Sequence, residues 1–133
     1  MIAKNNVFNI RNCIAAWKGQ TGVSHGFVCF EDVKFAVRAW LILLRNTYPR
    51  YKCKTLKQVV YRYCPFGDGA NNPDAYLDYL YNHGFSCNDI VTSFTKQVMF
   101  ELAFWFAKIE TGVNLDKFDF NAGLKLYLRD YEW

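Results

Sequence analysis

The 133-residue chain predicts a mostly helical α+β fold, a single domain over residues 1–133 with a small irregular or β-hairpin lobe near its N-terminus. Three observations lead there. Apolar residues make up 52% of the chain and aromatic residues 19%, enough to fill one core and to exclude a disordered polymer. From Glu31 onward, apolar side chains recur at helical spacing in blocks bounded by Pro and Gly. Before Glu31, Gly19, Gly22 and Gly26 cut the chain into pieces too short for helices.

Taken in order, residues 5–29 read as loop with short extended pieces, and Phe27-Val28-Cys29-Phe30 as one strand of a hairpin. Glu31 and Asp32 bring negative charge to a helix start. Ala36, Ala39, Trp40, Leu43 and Leu44 then continue at helical spacing to Tyr48, where Pro49 ends the run. Thr55 caps a second helix through Val59, Val60 and Tyr63, which Pro65 stops. Phe66 to Asn71 form a loop. Asn72-Pro73 opens a helix that Gly84 closes, with Tyr76, Tyr79 and Leu80 on one packed side. The most apolar helix runs from about Thr92 to Glu110, with Phe94, Val98, Leu102, Trp105 and Ile109 as its stripe and Gly112 after its end. Asp119 caps a last helix carrying Leu124, Leu126, Tyr127 and Leu128.

Several function classes fall away. The net charge of +4 favours anionic partners without singling out nucleic acid over cell-wall polymer. Five cysteines (Cys13, Cys29, Cys53, Cys64, Cys87) include no C-x-x-C pair, and the two histidines are not at zinc spacing, so neither a metal nor a cofactor is expected. Scattered apolar thiols instead suit a protein made in a reducing cytoplasm. The N-terminus does not read as a signal peptide, and the longest apolar run, Ala36 to Leu44, holds Arg38 and is too short for a bilayer. There is no G-x-S-x-G, phosphate loop or dinucleotide fingerprint. His25 and Cys29 could form a thiol–imidazole pair on composition, but four residues of loop give it no geometry.

Carboxylates are more informative, because glutamates are few: Glu31, Glu101, Glu110 and Glu132. Glycoside cleavage needs a carboxylic acid kept protonated near neutral pH, which an apolar setting favours. Glu110 ends the apolar helix, where a negative charge meets the unfavourable end of the dipole; Glu31 joins the hairpin to the first long helix. Each also has an ordinary reading, helix-start electrostatics for Glu31 and an exposed last turn for Glu110. Asn5, Asn6 and Asn9 suit turn closure, Arg11 and Arg38 suit buried cations meeting carbonyls or carboxylates, and Trp17 suits a core.

Asn5-Asn6-Val7-Phe8-Asn9-Ile10-Arg11, Trp17-Lys18-Gly19-Gln20, Gly26-Phe27, Phe30 and Val37-Arg38-Ala39 resemble a phage and prophage family with the pattern N-N-P-G-N-I-R, W-x-G, G-F-x-x-F and G-I-R-A. Thr55-Leu56, Tyr61-Arg62-Tyr63, Pro65, Asn71-Asn72 and Tyr76 extend the resemblance over roughly residues 5–85, and Ile109-Glu110-Thr111-Gly112 is similar to a helix end in some relatives. The chain departs from the pattern at Val7-Phe8 for Pro-Gly, at Ala36 for Gly, and at Lys34, where relatives often carry an acid.

The resemblance implies a lysozyme-like domain acting on bacterial peptidoglycan. Glu110 or Glu31 would be the general acid, with Asn5, Asn6, Asn9, Arg11, Trp17 and Arg38 lining a glycan groove. It implies partners in the cell wall and among other virion proteins, none in a membrane, and action at the wall or from the virion. The alternative is a non-catalytic virion or wall-binding component that keeps the fold and has lost the acid, which Lys34 favours. A nucleic-acid-binding module ranks last.

Overall fold

The computed structural model describes residues 2–69 and 71–133. It is an α+β structure, about half helical, with a two-stranded antiparallel sheet. The chain divides into two compact units, Met1–Ile42 with Ala103–Trp133, and Leu43–Leu102. No helix among the described residues is long and apolar enough to cross a membrane.

The first unit begins with an N-terminal segment and a hairpin of β1 (Gln20–Ser24) and β2 (Phe27–Phe30). The connecting His25 and Gly26 both have positive φ, 52° and 83°, as a tight two-residue hairpin turn requires. Val28 and Phe30 point into the core from alternate positions of β2. The other edge of β2 is covered by the N-terminal segment: Phe30 N–H donates to Lys4 O (2.9 Å), Val28 N–H to Ile10 O (3.0 Å), and Asn12 N–H to Gly26 O (2.8 Å). Such cover removes an exposed sheet edge.

Helix α1 (Val33–Ile42) starts where Asp32 Oδ1 accepts the Lys34 N–H at 2.9 Å; Asp32, not Glu31, supplies the side-chain bond. Helix α1 packs along α6 (Lys117–Asp130). The crossing is close at Gly123, where a Cβ would sit 2.4 Å from Val37 Cβ and 2.8 Å from Lys34 O. The N-cap of α6 is Asp116, which accepts the Phe118 N–H at 2.6 Å, so the expectation that Asp119 caps it is corrected: Asp119 lies in the first turn. At the centre of this unit Trp40 stacks on Phe8 (5.1 Å between centroids) and meets the edge of Phe106 (5.3 Å), all three fully buried.

The second unit holds a π-helical segment (Leu43–Thr47), α2 (Tyr48–Arg50), α3 (Leu56–Tyr63), α4 (Pro73–Tyr81) and a 3₁₀ turn (Val91–Ser93). Pro49 does not end the first helical run, because it falls in the opening turn of α2, where no N–H is demanded of it. Thr55 and Gln58 form a reciprocal capping box on α3, and Asn72 accepts the Ala75 N–H at the start of α4. Of the expected loop 66–71, Ala70 lies outside the described residues.

Helix α5 (Lys96–Thr111) begins later than the expected Thr92, because Thr95 Oγ1 accepts the Val98 N–H and fixes the first turn. Phe94 therefore precedes the helix, and the fully buried face runs through Met99, Leu102, Ala103, Phe106 and Ala107. Gly112 follows at a φ of 75°, as a helix terminator should.

Gly123→Ala should lower unfolding stability by about 1–3 kcal/mol through overpacking, read as a lower midpoint in urea. Gly22→Ala, with open space around the position, should leave the midpoint nearly unchanged. An unshifted Gly123→Ala protein would disprove the close crossing.

Candidate functional site

The asparagines of the N-terminal segment each face a different stretch of main chain. Asn5 and Asn9 sit in the left-handed region (φ 58° and 52°), which asparagine tolerates better than most residues. Asn5 Nδ2 donates to Phe30 O (2.9 Å) and Glu31 O (3.1 Å), tying down the end of β2. Asn6 Nδ2 donates to Ile10 O and Val28 O (both 2.9 Å), and its Oδ1 accepts the Ile10 N–H (2.9 Å). Asn6 is 0% exposed, so its expected place in a glycan groove is corrected: its amide is spent on buried main chain that would otherwise be unpaired.

Asn9 reaches the far end of the chain. Its Nδ2 lies 2.8 Å from Glu110 O and 3.3 Å from Glu110 Oε1, across 101 positions of sequence. Glu110 is half-buried in the last turn of α5. Beside it, Thr111 Oγ1 donates to Val7 O at 2.8 Å, with Ala107 O also in reach at 3.1 Å. Two neighbouring side chains thus fix the segment Val7–Asn9 to the end of α5. Thr111 enters the sequence reading only as part of the Ile109–Gly112 helix end, and no local pattern marks a partner so remote.

The other candidates are dispersed. Glu31 is exposed; its main chain is held by Asn5 and by Gly19 O, which accepts the Glu31 N–H at 2.8 Å. Arg11 is exposed, not buried, with its guanidinium 5.1 Å from the centre of the Phe27 ring. Trp17 is half-buried, in a turn closed by Gln20 Oε1 accepting the Trp17 N–H (3.0 Å) and Trp17 O accepting the Gln20 N–H (3.0 Å). Its indole N–H is sheltered and has no acceptor. Gly19 in that turn has a φ of 79°, and the Phe35 ring lies 2.2 Å from where a Cβ would stand, so only glycine fits.

Arg38 follows its ordinary reading, a largely buried cation that meets a carboxylate, and ties two helices. Its side chain is 12% exposed, and its Nη2 pairs with Asp130 Oδ2 at 2.9 Å, joining α1 to the end of α6. The hydrogen bond from Arg38 holds the Asp130 carboxyl below the usual carboxylate range, against a smaller opposing effect of burial. Asp119 is shifted the other way, by burial first and then by the charges of Asp116 and Asp32.

The departure at Val7-Phe8 also has a structural account. Both are buried, and Phe8 is the ring that stacks on Trp40, so these residues extend the core. His25 stays in the hairpin turn with Nδ1 3.2 Å from Ser24 Oγ, while Cys29 pairs with Gly22 farther along the ladder. At about 3.3 Å of rise per strand residue, that separation gives no thiol–imidazole contact. No group of three or more His, Cys, Asp or Glu side chains among the described residues could hold a metal ion. Comparison with protein-family models and with curated protein sequences finds no match.

Asn6→Ala should cost about 2–4 kcal/mol, since it strands several buried backbone groups; an unfolding midpoint within error of wild type would refute that. Asp130→Asn and Asp119→Asn should act oppositely. The lowered Asp130 pKa means its charged form stabilises the fold above the ordinary Asp range, and that contribution disappears as pH falls through the folded pKa. The raised Asp119 pKa means its charged form opposes folding at neutral pH and ceases to do so below the ordinary Asp range. Thermal melts at pH 7 should therefore show Asp130→Asn below wild type and Asp119→Asn above it, with both gaps closing in acid.

Proposed function

We propose that this chain is a phage-derived murein hydrolase of lysozyme-like fold, in which Glu110 is the general acid. The observation that carries the reading is the Asn9–Glu110 contact. It joins the asparagine motif, the most recognisable part of the family pattern, to the glutamate of the apolar helix end. Glu110 would deliver its proton to the glycosidic oxygen as the bond breaks, and the sugar would pass through an oxocarbenium-like state. Asn9, bonded to both the carbonyl and the carboxyl of Glu110, would act as a positioning residue that fixes the rotamer of the acid. Glu31, which is exposed, would be the alternative acid. Trp17, half-buried, and Arg11, exposed, would contact the glycan. The substrate is bacterial peptidoglycan, met at the cell wall by free enzyme or from a virion.

A specific observation favours a second reading, a virion or wall-binding component without activity. An amide N–H aimed at a carboxyl favours its charged form, whereas a general acid must hold its proton. Lys34, where relatives of the resembled family often carry an acid, points the same way.

Clearing of a peptidoglycan suspension decides between them. On the enzyme reading the wild type clears, Glu110→Gln loses about 10²–10⁴-fold, and Glu31→Gln loses less, with both variants folded by circular dichroism. A wild type that sediments with cell walls but never clears them rules out the enzyme and leaves the binding component.

A further inference from the structure

Charge is unevenly spread along the chain. From Val33 to Gly67 there is no Asp or Glu, and within that stretch Arg45, Arg50, Lys52, Lys54, Lys57 and Arg62 all belong to the second unit. An open groove of about 680 Å³ lies in this unit, lined by Thr55, Lys57, Gln58, Tyr61, Arg62 and Asn88. Its base is ordered: Leu56 N–H donates to Asp89 O (2.8 Å), Lys57 N–H to Cys87 O (3.1 Å) and Val91 N–H to Lys54 O (3.0 Å), and the Thr55–Gln58 capping box fixes the start of α3.

Cations of the groove lie against rings in it and beside it. The Arg62 guanidinium lies 4.3 Å from the centre of Tyr51 and 5.7 Å from that of Tyr48, and the Lys57 ammonium lies 5.5 Å from the centre of Tyr61. Tyr61 in turn meets Phe66 edge-to-face at 5.9 Å. Tyr51 and Phe66 are 60% and 57% exposed, so each leaves ring surface open to water. Of the nearby acids, Asp74 is engaged by the Tyr61 hydroxyl, which it holds above its usual range, and Asp89 accepts the Ser86 N–H at 2.7 Å.

We infer that this groove binds single-stranded nucleic acid without sequence preference. Exposed cations would follow the phosphates, while Tyr51 and Phe66 offer flat faces on which successive bases stack, the combination by which single strands are held. Bases presented inside a duplex could not reach the rings. A polymer of phosphate and polyol could satisfy the cations but has no flat face for Tyr51 and Phe66, so the rings favour nucleic acid over an anionic wall polymer. Composition alone ranks a nucleic-acid-binding module last, because a net charge of +4 hides the local segregation of charge.

The test is fluorescence anisotropy of a labelled oligothymidylate with the full chain, with unlabelled duplex of the same length and base-free polyphosphate as competitors. Binding should weaken with salt, with a log–log slope of about −3 if four cations meet phosphates. The pair Lys57→Gln and Arg62→Gln should flatten that slope by roughly 1.4. Tyr51→Ala should lower affinity about tenfold with little change in slope; the ring is exposed, so the variant should fold, which a melt checks. Equal competition by base-free polyphosphate, unaltered binding by the groove variants, or no binding at low salt would each overturn the inference. Peptidoglycan clearing plays no part in the readout, so this proposal and the murein reading fail independently.

Discussion

Burial of main chain that belongs to no helix and no full strand is the constraint on which the first unit depends. Between Ala3 and Asn12 the chain runs beside β2, but left-handed residues at positions 5 and 9 prevent a regular ladder. A buried carbonyl without a donor costs about 1–3 kcal/mol, and asparagine amides supply the donors that a strand would have supplied. Asn6 does this for Ile10 and Val28 at once while it is itself fully buried. The irregular path also lets Val7 and Phe8 turn inward, so that Phe8 reaches Trp40. The same detour that needs asparagines to satisfy it provides the ring that fills the core.

Wherever local chemistry decided, the sequence was informative. Thr55, Asn72 and Gly112 act at helix ends as their side chains or backbone preferences demand, and Phe27–Phe30 is a strand. Errors arose where two residues competed for one local role. Asp116 and Asp119 both suit an N-cap, and the earlier one takes it; Thr95, not singled out before, fixes the first turn of α5. Pro49 misled because a proline ends a helix only where its missing N–H is needed. Contacts across long separations left no trace in the pattern. Neither Asn9 with Glu110 nor Arg38 with Asp130 could be paired from spacing, since 101 and 92 positions separate them. The site was thus legible as a set of residue types and illegible as a set of pairs.

That difference changes what the asparagine motif signifies. Read as polar residues in a loop, Asn5, Asn6 and Asn9 suggest hydrogen bonds to a ligand. In the fold, the amides of Asn5 and Asn6 are engaged by carbonyls, and only Asn9 touches a carboxyl. A motif can therefore mark a scaffold strongly while saying little about catalysis, because satisfying buried main chain restricts residue choice as tightly as chemistry does. Glu110 stands where a carboxylate is electrostatically unfavourable, in the last turn of a helix, and the Asn9 amide offsets part of that cost.

Electrostatics carry the same lesson at a larger scale. Screening in physiological salt limits the reach of exposed charges to roughly 8 Å, so a ligand senses the residues of one surface and not the chain total. The +4 average combines an acid-free stretch ending at Gly67 with acids such as Asp68, Asp74 and Asp78 that follow it. Lys57 and Arg62 are already held against Tyr61 and Tyr51, so part of the side-chain entropy that binding would cost has been lost in folding. A groove prepared in this way gains more from an anionic strand than free surface lysines would. The same cations on a mobile loop would give only the sequence-blind attraction that net charge already predicts.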